Sequence, residues 1–294
     1  MNTPVKKNHH YVPQFWLRGF RDGRNQLHAR VGSAVKVVAT ADVMQEAWLY
    51  TLFDSRFHPS DTLEDELSNI EGDVAPIFVK LNDASQSLTA NEEKKLYQFL
   101  GLQACRHPDI LNRGFRRARE MARLIASVHD YTNTSEFVSK LQEFGLGEAD
   151  GKMIHEHACT KTAAELGKEL RELEDLSPQD PKLPVQIATL SFDLIAKEIC
   201  ALALVVLDAP AGKHFALGDT PMPQSKLAAG FTVPISKSVA LAFSPKVTGT
   251  NAASRRLASA REVTMSNLAQ WRDAREVVVG PDPQILRALC HQAI

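Results

Sequence analysis

Two glutamates seven residues apart, Glu64 and Glu71, a histidine pair, His9-His10, and an aspartate in a Gly/Pro turn, Asp219, are the groups in this chain whose types and spacing could do chemistry. On a helical wheel with Leu63 at zero, Leu67, Val74 and Leu81 mark the apolar stripe. Glu64 and Glu71 share one border, about 80° to 100° away. Two carboxylates on a border can hold a divalent cation, Mg²⁺ or Mn²⁺, or divide acid and base roles. The bland alternative is that both border solvent, where Glu is a good helix former.

The next helix carries polar residues on its apolar face. Taking Leu96 as zero, Gln103 falls at about 340° and His107 at about 20°, both mid-stripe, with Arg106 at the stripe edge beside Phe99. Buried polar groups need partners or a task, so these three form an inward-facing cluster or satisfy carbonyls at a helix end. Arg113, Arg116, Arg117 and Arg119 follow as a local positive patch, either a site for phosphate oxygens or a solvated face. In His9-His10-Tyr11-Val12-Pro13, the proline and the aromatics Phe15, Trp16 and Phe20 anchor the segment. His10 is then placed as a metal ligand or general base, or is simply structural. His155-Glu156-His157-Ala158-Cys159 resembles a ligand set only if extended, because in a helix its i, i+2 spacing points the groups apart. Asp219, in Leu217-Gly218-Asp219-Thr220-Pro221 after an expected strand, is either a catalytic carboxylate or an Asx-turn serving the backbone. P-loop, G-x-S-x-G, H-E-x-x-H, Rossmann-glycine and zinc-finger patterns are absent from the sequence.

The elements that must position these groups are readable from periodicity and caps. Gln26 to Arg30 and Ala34 to Thr40, split by Val31-Gly32-Ser33, predict a hairpin, and Thr40-Ala41-Asp42 opens a short helix through Trp48. Further helices are expected from Ser60 to about Ala84, from Thr89 to Pro108, from there to about His129, from Thr160 to Leu176 and from about Pro184 to Leu204. Beyond Asp208, Phe215 to Leu217, Phe231 to Ile235 and Val239 to Phe243 read as short strands, before helices at Thr264 to Arg275 and Pro283 to Ala293. The expectation is one α+β domain over residues 1–294, predominantly helical, with a small N-terminal hairpin and a small antiparallel sheet in the C-terminal third.

Composition narrows the setting. With 294 residues, 44% hydrophobic, 23% charged and a net charge of −1, the chain is an ordinary globular one without a global positive field for nucleic acid. The longest apolar run, Ile199 to Leu207, is too short to span a membrane, and the opening residues lack a secretory layout, so a cytoplasmic address without membrane association is expected. Four scattered cysteines fit reduced, mostly buried thiols.

The opening His9-His10-Tyr11-Val12-Pro13-Gln14-Phe15-Trp16-Leu17-Arg18-Gly19-Phe20 resembles the signature of a bacterial family, domain of unknown function 4238 (DUF4238). Leu63-Glu64 with Ile70-Glu71, Gln103-Ala104-Cys105-Arg106, Gly218-Asp219-Thr220-Pro221, Pro234-Ile235-Ser236 and the helix from Asn267 to Ala274 are similar to its further motifs, in order. Gly218 stands where the family usually has Ser, and Lys237 where a second Pro is common. The resemblance implies shared positions, His10, Glu64, Glu71, Gln103, Arg106 and Asp219, and no settled activity.

Two classes of function compete. A metal-dependent phosphodiesterase, foremost a nuclease with a defence or toxin role, would ligate Mg²⁺ or Mn²⁺ with His10, Glu64, Glu71 and Asp219. Gln103 and Arg106 would steady the phosphoryl charge, with Arg113, Arg116 and Arg117 holding the nucleic acid or nucleotide. A nucleotide hydrolase or transferase is a variant of this class. The alternative is a non-catalytic protein-interaction module in which Glu64 or Glu71 pairs with Arg106 inside a buried network.

Overall fold

The computed structural model describes residues 7–47, 49–53, 59–60, 62–144, 146–174, 192, 194–223, 227–246 and 254–291. In chain order its main elements begin with β1 (Asn8–His10), α1 (Gln14–Arg18), β2 (Leu27–Val31), β3 (Ala34–Val38) and β4 (Gln45–Ala47). Helices α2 (Thr62–Leu81), α3 (Ala90–Cys105), α4 (Pro108–Ala126), α5 (Thr134–Gln142), α6 (Glu148–Cys159) and α7 (Ala163–Glu174) follow. The last part contains β5 (Leu202–Asp208), β6 (Leu217–Gly218), β7 (Phe231–Pro234), β8 (Val239–Pro245), β9 (Ser254–Leu257), α8 (Ala260–Asp273), β10 (Val277–Gly280) and α9 (Pro283–His291). The chain divides into two compact units, one of Met1–Thr51, Pro59–Pro108 and Ala188–Ile294, the other of Leu52–His58 and Asp109–Ile187.

The first unit holds two four-stranded sheets. One runs β3-β2-β10-β6 with every pair antiparallel; the other runs β9-β5-β8-β7, where β9 lies parallel to β5 and the rest are antiparallel. A separate ladder pairs β1 with β4, setting His9 opposite Glu46 and His10 opposite Gln45. Gly32 turns the β2–β3 hairpin at φ +59°, a conformation that costs a residue with a Cβ dearly. Helix α3 is started by a reciprocal capping box between Thr89 and Glu92, and Lys80 of α2 binds the same carboxylate, which lies well below the usual range at about 2. Phe15, Trp16, Phe78 and Phe99 meet edge-on or tilted, with ring centroids 5.2–5.8 Å apart, and form the aromatic heart of the core. The Trp16 indole also donates to the Pro234 carbonyl at 3.0 Å, pinning the N-terminal segment to the end of β7.

The second unit packs α4 to α7 around Val128, Phe137, Leu141, Ala158 and Leu166. A Cβ on Gly151 would lie 2.9 Å from Val138 Cγ1, so α5 and α6 approach more closely than a side chain there would permit.

Three expectations are overturned. The fold is an α+β mix with two four-stranded sheets, not a predominantly helical body with a small hairpin and a small antiparallel sheet. The hairpin is half of a sheet completed by β6 and β10, and the C-terminal sheet is mixed because β9 enters parallel. The predicted helix to Leu204 stops at residue 200 and β5 begins at Leu202; an apolar run of that length does not by itself distinguish helix from strand. The start of that helix lies outside the described residues. Thr40 to Ala47 is turn followed by β4 and not helix, with Met44 at φ +54° breaking any helical path.

Candidate functional site

Arg106, at the C-terminal cap of α3, is the hub of the polar cluster and only 2% exposed. Its Nη1 donates to Glu71 Oε1 at 2.7 Å, its Nη2 to the His10 carbonyl at 2.9 Å and its Nε to the Tyr50 hydroxyl at 3.3 Å. Tyr50 returns the bond by donating to the Arg106 carbonyl at 3.1 Å, and its ring lies 5.3 Å from the guanidinium carbon. Burial works against the Arg106 charge, but Tyr50 and Glu71 more than offset it and hold the proton more firmly than in water. Burial in turn pushes the Tyr50 phenol up, opposed in part by Arg106.

The histidine pair serves the same cluster in two ways. His9 is fully buried, stacks on Tyr50 at an interplanar angle of 4°, and accepts the Tyr50 amide on Nδ1 at 2.8 Å. His10, half-buried, sets Nε2 3.2 Å from the Thr40 carbonyl, which makes Nε2 the protonated nitrogen. Burial lowers the His10 pKa, against the Thr40 carbonyl and the Glu71 charge, which raise it. Gln103 donates to the Tyr11 carbonyl at 2.6 Å, and its buried Oε1 accepts no hydrogen bond among the described residues. Tyr11 is thus fixed by α3 from one side and by the Met44 carbonyl, which accepts the Tyr11 amide, from the other.

Asp219 is wholly buried and committed to the backbone. Oδ1 accepts the Arg275 amide at 2.8 Å, and Oδ2 accepts those of Glu276 and Val277 at 2.7 and 2.9 Å. It thereby caps the entry to β10, the work of a turn carboxylate on a larger scale. His107 lies beside it, Nε2 4.0 Å from Oδ2, with its ring edge-on to Tyr11 at 4.9 Å. From α8, Asn267 accepts the Ala216 amide and donates to the His214 carbonyl, while Gln270 accepts the Gly218 amide and donates to the Pro221 carbonyl. A Cβ on Gly218 would lie 2.6 Å from the Gln270 carbonyl oxygen, so a serine there would push α8 away from this strand.

The structure therefore brings His10, Glu71, Gln103 and Arg106 into one cluster and gives Asp219 a separate task. Glu64, half-buried on α2, is near enough to Tyr50 to raise its pKa. Arg116 is exposed on α4 in the second unit; the side chains of Arg113 and Arg117 lie outside the described residues. His155 to Cys159 is helical, and its one close pair is His155 with Cys159, Nε2 to Sγ 3.7 Å. Cys105 is buried, whereas Cys159 and Cys200 are exposed, so burial of the thiols is not general. Among the described residues, no three of His, Cys, Asp and Glu form a group suited to a metal ion. Sequence reasoning missed Tyr50 and Thr40, for which spacing carries no signal, and the clamp by Asn267 and Gln270, which an i, i+3 polar pair on a buried helix face could have revealed.

Beside this cluster an open groove of about 810 Å³ lies over one face of the β3-β2-β10 sheet. Val31, Val38 and Val277 supply its apolar part, and Tyr11, Arg21, Lys36, Asp42 and Glu276 add polar and charged groups of both signs.

A sequence model described as "Protein of unknown function (DUF4238)" matches residues 8–284, nearly the whole chain. No curated protein and no solved structure matches. No helix among the described residues is long and apolar enough to cross a membrane.

Proposed function

Because the chain belongs to the DUF4238 family, whose function is unknown, its own geometry has to carry the reading, and we propose that it is a non-catalytic protein-interaction module. A buried polar network locks the N-terminal segment, and the groove beside Tyr11 receives a segment of a partner protein. The carrying observation is that all three Arg106 nitrogens are spent on internal acceptors, Glu71, the His10 carbonyl and Tyr50. A guanidinium so engaged has little left for a substrate phosphoryl group. The groove supports the same reading: its size suits a small ligand or a short chain segment, and Asp42 and Glu276 balance Arg21 and Lys36 in its lining, which leaves no positive excess to draw a polyanion.

The test is calorimetric titration of Mn²⁺ and Mg²⁺ into wild type, His10→Ala and Glu71→Ala, with urea denaturation of each. The module reading expects no saturable uptake and a lowered unfolding midpoint in both variants. Saturable uptake that both substitutions abolish, in proteins that remain folded, overturns it. A photo-crosslinking residue in place of Lys36, which lines the groove, is exposed and lies opposite Ala29 on the same sheet face as Val31 and Val277, then identifies the partner segment; a partner joined equally well from exposed Val79 speaks against the groove.

A second reading, the metal-dependent phosphodiesterase acting on nucleic acid or nucleotides, draws on one observation, the unpaired Gln103 Oε1 beside Arg106. It requires Glu71 to leave Arg106 before it can serve a cation. Hydrolysis of nucleic acid that needs Mn²⁺ or Mg²⁺ and is lost in Glu71→Gln supports it.

A further inference from the structure

Arg30 lies at the fourth position of β2, opposite Val35 of β3 and Val278 of β10, on the sheet face away from the groove. That face is covered by α8 and α9, whose Trp271, Leu286 and Leu289 form a small core with Val278. Arg30 is 92% buried there, and its guanidinium carbon stands 3.5 Å from the centroid of the Trp271 ring. Nε and Nη1 are sealed from solvent and find no acceptor among the described residues. Cation–π attraction to an indole offsets only part of the cost of desolvating a guanidinium, so a permanent charge has been placed where the fold leaves its strongest donors unanswered.

We propose that Arg30, backed by Trp271, is a binding site for the carboxylate group of a small molecule, distinct from the Arg106 cluster and its groove. The indole covers one face of the guanidinium, and Nη2, the nitrogen outside the sealed pair, offers its N–H groups to a carboxylate oxygen. Nη2 is the nitrogen through which the ligand arrives, since Nε and Nη1 carry no exposure of their own. The charge count selects the class. One guanidinium, with no second cation interacting with it among the described residues, is balanced by a monoanion, whereas a phosphate dianion would bring an excess negative charge into a region of low dielectric.

The experiment is titration of wild-type protein with acetate and, separately, with inorganic phosphate at constant ionic strength. It follows the Arg30 Nε–H resonance, assigned by its loss in Arg30→Lys, together with Trp271 fluorescence, assigned by Trp271→Phe. A saturable acetate shift of the Nε–H signal, with at least tenfold weaker binding in Arg30→Lys, is expected. Saturable phosphate binding at lower concentration than acetate overturns the carboxylate assignment. No saturable response to either anion overturns the site and leaves Arg30 as a structural partner of Trp271. Because the resonance is read in the wild type, failure of a variant to fold does not remove the test.

Discussion

Arg106 and Arg30 are both more than nine-tenths buried, both lie against an aromatic ring, and both belong to the same compact unit. Around Arg106, a carboxylate, a backbone carbonyl and a phenol occupy the three guanidinium nitrogens. Around Arg30, the indole face lies against the guanidinium and the sealed nitrogens have no acceptor among the described residues. The difference teaches that burial of a cation is not one phenomenon. In the first case the charge is the fastener that ties the N-terminal ladder to α2 and α3. In the second it is an unspent recognition element whose removal relieves the fold.

The sharpest way to break this comparison is Arg106→Met, which strands the His10 carbonyl and Glu71 at once and leaves the Tyr50 hydroxyl only its bond to the backbone carbonyl at that position. A loss of about 3 to 5 kcal/mol in urea unfolding is expected; a loss no larger than that of Arg30→Met would erase the distinction. Next comes Asp219→Asn, which keeps the shape but removes the charge and one acceptor from three backbone amides; about 1 to 3 kcal/mol should go, with faster hydrogen exchange at Arg275 to Val277. The His10 contribution depends on pH. Its folded pKa is lowered, so the unfolded chain binds more protons, and stability must fall as pH drops below the unfolded value near 6.5. His10→Gln should flatten that part of the profile, and an unchanged profile would show that other groups govern it. Smallest of all is Arg30→Met, expected to be neutral or stabilising by up to about 1 kcal/mol, because an unanswered charge is exchanged for an apolar side chain of similar length. A large destabilisation there would mean that the stack on Trp271 is a fastener too.

How much of this was legible in the sequence follows from the range of the interactions. Helices α2 and α3, the β2–β3 hairpin and the strands at Phe231 and Val239 were readable because caps, turns and periodicity are local. The polar residues on the α3 stripe, Gln103, Arg106 and His107, were visible as anomalies for the same reason, and all three are buried. What the anomaly could not disclose was the identity of the partners, since Tyr50 and the His10 carbonyl reach Arg106 only through the fold. In Leu27-His28-Ala29-Arg30-Val31, alternation puts Leu27 and Ala29 on one face and assigns His28 and Arg30 to solvent. Helices α8 and α9, more than two hundred residues later, cover that second face, and no local pattern announces them. Asp219 was noticed as a turn residue, but its service to three amides near residue 276 was likewise beyond the reach of local reading.

The position of β10 between β2 and β6 also has a consequence for how the chain comes to be folded. During synthesis the β2–β3 hairpin emerges early, yet its inner edge stays open until residues 277–280 have been made. A two-stranded ribbon is marginal alone, and an open apolar edge invites pairing with another nascent chain. Lys36 and Arg30 give that early ribbon charge on both faces, which opposes such pairing without closing the edge. A chain released before Val277 would leave β2 with β3 alone, and such fragments should partition to the insoluble fraction.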